Sequence, residues 1–276
     1  MSGVPELSGA TRVAGVIGDP VTHSSSPALH NAAYRALGLD YVYVAFPVPA
    51  GRGADAVRAV PALGLAGLNV TMPHKADAAR ACDDLTDDAR TLGVVNTVVP
   101  CGDGRVHGDS TDGPGFVAAL RDEGVEPRGR GVVVIGAGGA ARAIVLALGR
   151  AGARVTVAAR RPEARDGASA LAPDARAIAL DELDAVVCDA DVIVNATPIG
   201  MRGEPPPFDV ASLAARHVVV DTVYHPAETP LLAGARAAGV AVAANGLGML
   251  VHQAALAFRL MTGLDAPLDA MRAAVA

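Results

Sequence analysis

The chain has 276 residues, a length typical of about two domains, and its 51% hydrophobic and 19% charged residues exclude a disordered chain. Aromatic residues make up only 3%, there is no Trp, and the net charge is −6 with no basic run, so we expect neither a nucleic-acid nor a membrane partner. The three cysteines, Cys82, Cys101 and Cys188, are scattered without a CxxC pair, which argues against disulfides or a metal site and favours a cytoplasmic location.

Apolar runs of strand length alternate with helix-length segments along most of the chain, which predicts βαβ units and a parallel sheet. The first predicted strands and helices are, in chain order, Arg12–Ile17, Pro27–Leu37, Tyr41–Val48, Ala54–Leu63, Leu65–Val70, Lys75–Ala81 and Val94–Val99. The first series ends at a seam around Thr111–Gly129, which contains a helix at Gly115–Glu123. A second series follows at Val132–Ile135, Gly139–Arg150, Arg154–Ala158, Val192–Asn195, Val218–Asp221 and Val240–Ala243. Two helices separated by Pro267 are predicted to end the chain.

Some residue types are rare enough to be informative. The 23 basic residues comprise 22 Arg and a single Lys, Lys75, and the chain has one Gln, Gln253, and only five Asn. Arg is used wherever a surface cation suffices, so the remaining Lys, Gln and Asn are candidates for positions where the side-chain chemistry is not interchangeable. The alternative is chance retention, and the hypothesis gains weight only if these residues fall together in motifs.

The segment Val132–Arg142 carries a glycine-rich turn between an apolar strand and an apolar helix. Gly136 permits the tight turn, Gly138 and Gly139 let the backbone approach a pyrophosphate, and Ala141 takes the close-packing position often held by a third glycine. The helix N-terminus then offers free N–H donors to the phosphates. We therefore predict a dinucleotide site here, the alternative being a tight turn that binds no ligand.

The following strand indicates which dinucleotide binds. NAD-binding chains usually end this strand with an acid that holds the ribose 2′-hydroxyl, but here it is followed by Arg160 and Arg161. A guanidinium pairs bidentately with a phosphate, so these residues favour NADP(H), although two solvated arginines at a helix start would look the same.

Clusters before the seam supply candidates for a substrate site. The hydroxyls of Ser24 and Ser26 precede a helix and could bind a carboxylate, although an N-cap within a polar loop explains them equally well. The segment Asn69–Lys75 places the sole lysine at the carboxyl end of a strand, where ligands bind in open α/β sheets. Two further clusters contribute Asn96 and, at the seam, Asp112.

Taken together, these motifs resemble those of the shikimate dehydrogenase family, within the shikimate/quinate dehydrogenase group. The matching segments are Ser24-x-Ser26-Pro27, Asn69-Val-Thr71-x-Pro-x-Lys75, Val-Asn96-Thr, Thr111-Asp112-Gly, Gly136-Ala-Gly-Gly-Ala, Asn195-Ala-Thr197-Pro-x-Gly-Met201, Asp221-x-x-Tyr224-x-Pro-x-x-Thr229-Pro and Gly246-Leu-Gly-Met-Leu-x-x-Gln253. They occur in the family's order from about residue 16 to about residue 260. The rare Lys, Gln and most Asn residues fall in or beside them.

The resemblance implies an α/β protein of two domains. An N-terminal α/β substrate domain, residues 1–111, is completed by C-terminal helices in 246–276, and a Rossmann-type NADP-binding domain occupies 112–245. The implied reaction is the NADP-dependent, reversible reduction of 3-dehydroshikimate to shikimate, in chorismate and aromatic amino acid biosynthesis. The implied partner is this small molecule, with the chain acting as a monomer or homodimer.

The resemblance also implies roles for individual residues. Lys75 and Asp112 would form the catalytic acid–base pair, because hydride addition to a ketone creates an alkoxide that needs a proton donor and a nearby positive charge. The substrate-binding residues would be Ser24, Ser26 and Tyr224 for the carboxylate, and Thr71, Lys75, Asn96, Asp112 and Gln253 for the ring oxygens. The cofactor-binding residues would be Gly136, Ala137, Gly138, Gly139, Ala140, Arg160, Arg161, Thr197, Met201, Thr222 and Gly246.

Two departures from the family's pattern stand out. The family often has Asn-Arg-Thr-x-x-Arg after the second dinucleotide strand, whereas here Arg160 matches, the second Arg does not, and Arg161 could replace it. Ser110 also replaces an Asn often found before Thr-Asp-Gly.

Two other functions compete with the first. One is a quinate or aminoshikimate-type dehydrogenase, against which Ser26 in place of a bulkier Thr and the missing ribose-binding acid favour shikimate with NADP. The other is a non-catalytic dinucleotide-sensing protein on the same fold, which we would expect to have lost Lys75 or Asp112.

Overall fold

The computed structural model describes residues 7–276, which form two compact units. The first unit contains the chain up to Thr111 together with Val251–Ala276, and the second contains Asp112–Leu250. Residues 1–6 of the predicted substrate domain lie outside the described part of the chain.

The first unit contains a six-stranded sheet in the order β2-β1-β3-β5-β6-β4. Its strands are β1 (Arg12–Gly18), β2 (Tyr41–Pro47), β3 (Gly67–Val70), β4 (Asp84–Leu85), β5 (Thr97–Pro100) and β6 (Val106–Asp109). Its helices before the seam are α1 (Ser26–Ala36), α2 (Gly53–Ala62), α3 (Lys75–Ala81) and α4 (Asp87–Leu92). One core combines apolar side chains from β1, β3, α2 and α3.

The prediction of a parallel sheet is wrong for part of this unit. Strands β1, β2 and β3 are parallel, but β5 runs antiparallel to both β3 and β6. A short turn containing Gly102 and Gly104, with φ of 83° and 86°, joins β5 to β6. Left-handed glycines permit such a tight reversal, and a hairpin of this length makes its two strands antiparallel.

The second unit contains a six-stranded parallel sheet in the order β12-β11-β10-β7-β8-β9. Its strands are β7 (Gly131–Ile135), β8 (Arg154–Ala158), β9 (Arg176–Ile178), β10 (Val192–Asn195), β11 (Val218–Asp221) and β12 (Val242–Ala244). Its helices are α5 (Asp112–Asp122), α6 (Gly139–Arg150), α7 (Pro162–Ser169), α8 (Leu183–Val187) and α9 (Pro230–Ala237). This strand order is that of the doubly wound dinucleotide-binding fold, which confirms the predicted fold class.

Residues of β7 show why the strands of this sheet are continuous apolar runs. Val132 and Val134 pack into one core cluster with α5 and α6, whereas Val133 and Ile135 pack into another with α8 and α9. A strand covered on both faces has no solvent side, so every position favours an apolar residue.

The chain passes from one unit to the other at two positions. The first lies between Thr111 and Asp112, immediately before α5. The second lies between Leu250 and Val251, inside the long helix α10 (Leu247–Thr262), whereas the sequence placed it at 245/246. As predicted, Pro267 separates α10 from the last helix, α11 (Leu268–Ala273).

Within residues 7–276 no helix is long and apolar enough to cross a bilayer. The same part of the chain contains no group of three or more His, Cys, Asp or Glu side chains arranged to hold a metal ion.

Candidate functional site

The first unit gathers its predicted site residues at one edge of the sheet. Parallel strands β1 and β3 end side by side, and a Cβ on Gly18 would come within 2.5 Å of Thr71 Cγ2, so the two loops that follow are in contact. The loop after β1 leads to Ser24 and Ser26, where the Ser26 N–H donates to Ser24 Oγ at 3.3 Å. The half-buried Ser24, Ser26 and Thr71 therefore lie on two adjoining loops.

Lys75 and Asn96 are held close by the backbone. Lys75 is the first residue of α3, and its carbonyl accepts from the Val95 N–H at 3.0 Å. The neighbouring Asn96 is buried, and its Oδ1 accepts from the Thr111 N–H at 2.8 Å. Lys75, Asn96 and the residue before Asp112 are thus brought together within one unit.

A buried polar network lies behind Asn96. The Tyr43 hydroxyl donates to Asn69 Oδ1 at 2.6 Å, and Asn69 Nδ2 donates to the Asn96 carbonyl at 3.1 Å and to Thr97 Oγ1 at 3.0 Å. Thr97 Oγ1 donates to Asn96 Oδ1 at 3.1 Å. Because each donor faces an acceptor, the orientation of the Asn96 amide is fixed.

Tyr43 is itself fixed by packing. Its ring stacks on His30 with a centroid distance of 4.2 Å and an interplanar angle of 5°. Burial lowers the pKa of His30 to about 3 and raises the pKa of Tyr43 well above its ordinary value. Two neutral rings therefore stack in the core of this unit.

The second unit has a cleft of about 360 Å³ at the carboxyl ends of β7, β8 and β10. Six predicted cofactor residues line it: Gly136, Ala137, Gly138, Arg160, Arg161 and Thr197. Strands β7 and β10 adjoin where the strand order reverses, the position where doubly wound sheets bind ligands.

The glycines of the turn have distinct roles. Gly136 adopts φ of +121°, and a Cβ there would come within 2.8 Å of the Ala196 carbonyl oxygen, so only glycine fits. A Cβ on Gly138 or Gly139 would meet nothing within 4 Å. The first glycine thus serves the fold, whereas the other two leave room for a ligand beside the first turn of α6.

The cleft is suited to an anion. No Asp or Glu occurs among the described residues that line it, and Arg160 and Arg161 follow β8 with exposed side chains. Across residues 7–276 neither guanidinium has an ion-pair partner. These residues fit a dinucleotide that carries a 2′-phosphate.

A second buried network lies behind the cleft. The Asp221 side chain is fully buried, and it accepts from Asn195 Nδ2 at 2.9 Å, the Val223 N–H at 3.0 Å and Thr229 Oγ1 at 2.7 Å. Asn195 Oδ1 in turn accepts from Thr197 Oγ1 at 2.6 Å. Burial raises the pKa of Asp221, while these hydrogen bonds act in the opposite direction.

The other predicted cofactor residues lie outside the cleft lining. Gly139 and Ala140 are in the first turn of α6, and Met201 is exposed in the loop after β10. Thr222 and Gly246 lie together, because a Cβ on Gly246 would come within 2.1 Å of the Thr222 carbonyl oxygen. The Thr222 N–H donates to the Asn195 carbonyl at 2.9 Å, so this pair adjoins the end of β10.

Three predicted site residues occupy other elements. Tyr224 is exposed in the loop between β11 and α9, in the second unit. Asp112 begins α5, whose Gly113 packs so closely on α6 that a Cβ would come within 2.4 Å of the Ala143 carbonyl oxygen. Gln253 is half-buried on α10, in the part of that helix that belongs to the first unit.

The sequence analysis assigned no role to Tyr43, Asn69, Asn195 or Asp221, although three of them stand in the motifs. The rarity of asparagine was a signal that could have identified Asn69 and Asn195. All five asparagines have both side-chain polar atoms hydrogen-bonded, and these residues are Asn31, Asn69, Asn96, Asn195 and Asn245.

Three family profiles match successive parts of the chain. The shikimate dehydrogenase substrate binding domain matches residues 16–98, shikimate / quinate 5-dehydrogenase matches residues 121–200, and the shikimate 5'-dehydrogenase C-terminal domain matches residues 246–276.

Individual proteins match over nearly their whole length. A shikimate dehydrogenase (NADP(+)) of Methanopyrus kandleri is 47% identical, with 96% of this chain and 95% of the relative covered. The structure of Listeria monocytogenes shikimate 5-dehydrogenase in complex with shikimate and NAD has a TM-score of 0.91 at 33% identity, covering 98% of each chain. The Thermus thermophilus enzyme in complex with NADP(H) and shikimate has a TM-score of 0.84 at 38% identity, covering 95% of this chain and 98% of that one.

Proposed function

The chain belongs to the shikimate dehydrogenase family, and from this premise we propose that, in one reaction, the second unit binds the cofactor and the first unit supplies most of the residues that bind the substrate. The reaction is the NADP-dependent, reversible reduction of 3-dehydroshikimate to shikimate, a step of chorismate and aromatic amino acid biosynthesis. The substrate domain corresponds to the first unit and the NADP-binding domain to the second, so the boundary inside α10 lies at Leu250/Val251 rather than at the expected 245/246. The observation that carries this function is 47% identity over 96% of the chain to a curated NADP-dependent relative.

The residues of the second unit would hold NADP(H). Gly138 and Gly139 leave space for the pyrophosphate, the first turn of α6 including Ala140 offers N–H donors, and Arg160 with Arg161 would pair with the 2′-phosphate. Thr197, Met201, Thr222 and Gly246 would lie along the rest of the cofactor. When bound, NADPH supplies a hydride to the ketone carbon of 3-dehydroshikimate.

Lys75 performs the proton transfer in this proposal. Its ammonium donates a proton to the oxygen that becomes the C–OH group, and its positive charge stabilises the alkoxide character of that oxygen. In the reverse direction the neutral amine takes the proton back. Asp112 orients the Lys75 ammonium and accepts a hydrogen bond from a ring hydroxyl.

The remaining polar residues would bind and orient the substrate. Ser24, Ser26 and Tyr224 donate to the carboxylate, while Thr71, Asn96 and Gln253 contact the ring oxygens. Ser24, Ser26, Thr71 and Asn96 stand on adjoining loops of one sheet edge, which supports a shared ligand. Fixing a ligand at several points orients the reacting carbon.

The competing functions are not favoured. The curated relatives are named shikimate dehydrogenase (NADP(+)), which argues against a quinate or aminoshikimate-type enzyme. Lys75 and Asp112 are both retained, which argues against a non-catalytic dinucleotide-sensing protein.

A comparison of four initial rates tests this function. Shikimate and quinate are each oxidised with NADP⁺ and with NAD⁺, and kcat/KM is determined for every pair. We expect the highest value for shikimate with NADP⁺. An equal or higher value with NAD⁺, or with quinate, would contradict the assignment.

We also propose that the enzyme acts in the cytoplasm as a monomer or homodimer. The three cysteines are free thiols, which suits a reducing compartment. Sedimentation equilibrium measures the assembly state, and a tetramer or larger species would contradict this proposal.

A further inference from the structure

We propose that Asp221 is a positioning residue of the NADP(H) site, one that orients the loop at Thr197 through Asn195. The inference rests on the proposed function, because it takes the cleft of the second unit to be the cofactor site. Asp221 itself does not line the cleft.

Asp221 fixes the orientation of the Asn195 amide. A carboxylate accepts hydrogen bonds and does not donate them, so Asp221 Oδ1 requires the Nδ2 side of Asn195 to face it, at 2.9 Å. The Oδ1 side of Asn195 must then face the other way, toward Thr197. A carboxylate at position 221 thereby selects one of the two amide orientations of Asn195.

The loop that follows β10 is held by the Asn195 side chain. Asn195 Oδ1 accepts from both the N–H and the hydroxyl of Thr197, at 3.1 and 2.6 Å. Thr197 Oγ1 accepts from the Ile199 N–H at 3.1 Å, and Asn195 Nδ2 donates to the Ile199 carbonyl at 3.0 Å. Thr197 and Ile199 both line the cleft, so the orientation set at Asp221 is transmitted to its wall.

Asp221 also holds the loop that follows β11. Asp221 Oδ1 also accepts from the Val223 N–H at 3.0 Å, and the Val223 carbonyl accepts from the Gly246 N–H at 3.1 Å. Thr222 is the residue between Asp221 and Val223, which the first of these hydrogen bonds joins. The one carboxylate therefore links the loops that carry Thr197, Thr222 and Gly246, three residues proposed to lie along the cofactor.

The burial of Asp221 supports a role beyond general stability. The side chain has no exposed surface, and a buried charged group without its full set of partners is strongly destabilising. A neutral or apolar side chain would fill this position of the core at a lower free-energy cost of burial. The acceptor pattern is the property that only Asp, or Asn in one orientation, provides at this size.

The test compares three variants for binding NADP⁺ in the absence of shikimate, by isothermal titration. Asp221→Ala leaves Asn195 and Val223 without their acceptor, so we expect its Kd for NADP⁺ to rise by about tenfold, the scale of one lost hydrogen bond to a charged group. Asp221→Asn keeps Oδ1 as an acceptor while its Nδ2 donates to Thr229 Oγ1, and we expect a Kd within about threefold of wild type.

Asp191→Ala is the matched control. Asp191 is also a carboxylate of the second unit, and it accepts from the Gly131 N–H at 2.7 Å, at the opposite end of the same sheet. Asp191→Ala removes a comparable hydrogen bond outside the cleft. We therefore expect this variant to have a lower Tm and an unchanged Kd for NADP⁺. If Asp221→Ala is insoluble, Asn195→Ser, which also breaks the link to Thr197, carries the same tenfold expectation.

Hydrogen exchange gives a second readout. The amides of residues 197, 199 and 223 should exchange faster in Asp221→Ala than in wild type, and at the wild-type rate in Asp191→Ala. A wild-type Kd in Asp221→Ala, an equal loss in Asp191→Ala, or an equal loss in Asp221→Asn would each overturn the proposal. Wild-type protein that binds no NADP⁺ would instead overturn the proposed function, and this inference with it.

Discussion

Both units fix polar side chains beside a proposed ligand site, but they do so with different chemistry. The first unit uses a neutral network from Tyr43 through Asn69 to Asn96, whereas the second places a buried carboxylate, Asp221, behind its cleft. A hydroxyl can both donate and accept, so the neutral network is oriented only when all its members are present. The carboxylate orients its partners alone, at the cost of burying an ionisable group.

The largest expected effect falls on the first unit. In Lys75→Arg the positive charge stays, but a guanidinium with a pKa above about 12 is a poor proton donor and acceptor at neutral pH. We expect kcat to fall by at least about 100-fold, the usual scale of general acid–base catalysis. The Kd for NADP⁺ should stay within about threefold, since Lys75 belongs to the unit that lacks the cofactor cleft.

Steady-state rates and a cofactor titration on the folded variant check this expectation. Turnover near the wild-type value would remove Lys75 from its catalytic role. The retention of one lysine among 23 basic residues would then be an accident of composition.

The next effect is confined to the second unit. The double substitution Arg160→Gln with Arg161→Gln removes both cations beside the cleft, and we expect kcat/KM for NADP⁺ to fall by about 30-fold, as two charge-assisted hydrogen bonds are lost. The value for NAD⁺, which has no 2′-phosphate, should change little. Arg176→Gln, an exposed arginine of β9 that does not line the cleft, is the control. An equal loss with both cofactors would show that the arginines do not read the 2′-phosphate.

A smaller effect tests the neutral network directly. Tyr43→Phe keeps the ring that stacks on His30 but removes the donor to Asn69 Oδ1, so we expect KM for shikimate to rise by about fivefold with KM for NADP⁺ unchanged. Tyr34→Phe is the control, because Tyr34 is equally buried and its hydroxyl has no hydrogen-bond partner among the described residues. If the two variants behave alike, the network does not position Asn96.

The smallest expected effect distinguishes the charged network from the neutral one by the pH dependence of the free energy of unfolding. Because burial raises the pKa of Asp221 in the folded protein, ionisation costs the folded state stability as pH rises through the interval between the unfolded and folded pKa. Asp221→Asn removes that cost. The free energy of unfolding of Asp221→Asn should therefore exceed that of wild type by a larger amount at pH 7 than at pH 4, as urea titrations would show. A difference independent of pH, or of opposite sign, would contradict the expected pKa direction.

Much of the fold was predictable because buried parallel strands are continuous apolar runs. The predictions for β1, β8, β10 and β11 agree with the structure to within one residue at each end, and those for α3 and α6 have the observed bounds. Strands β4, β6 and β9 were missed, since they are short and include polar or charged residues. Their pairing depends on neighbours distant in sequence, which local periodicity does not reveal.

The site was predictable where its residues stand in local motifs and not where they meet across the fold. The glycine turn and the two arginines after β8 lie within one βαβ unit, and they line the same cleft. The contacts of Tyr43 with Asn69 and of Asn195 with Asp221 each join residues 26 positions apart. Only tertiary structure brings such pairs together, so the residues behind the site could not be predicted from the sequence.

The central claim is that the Tyr43 network in the first unit acts on the affinity for shikimate, whereas Arg160 and Arg161 in the second unit act on the affinity for NADP(H). The most direct test combines Tyr43→Phe with Arg160→Gln and Arg161→Gln and measures the rate at limiting concentrations of both shikimate and NADP⁺. Residues that share no partners should act additively in free energy, so the combined loss should equal the product of the separate losses within about twofold. A combined loss that departs from that product by about tenfold or more would show that the two sets of residues act as one site, and would contradict the account.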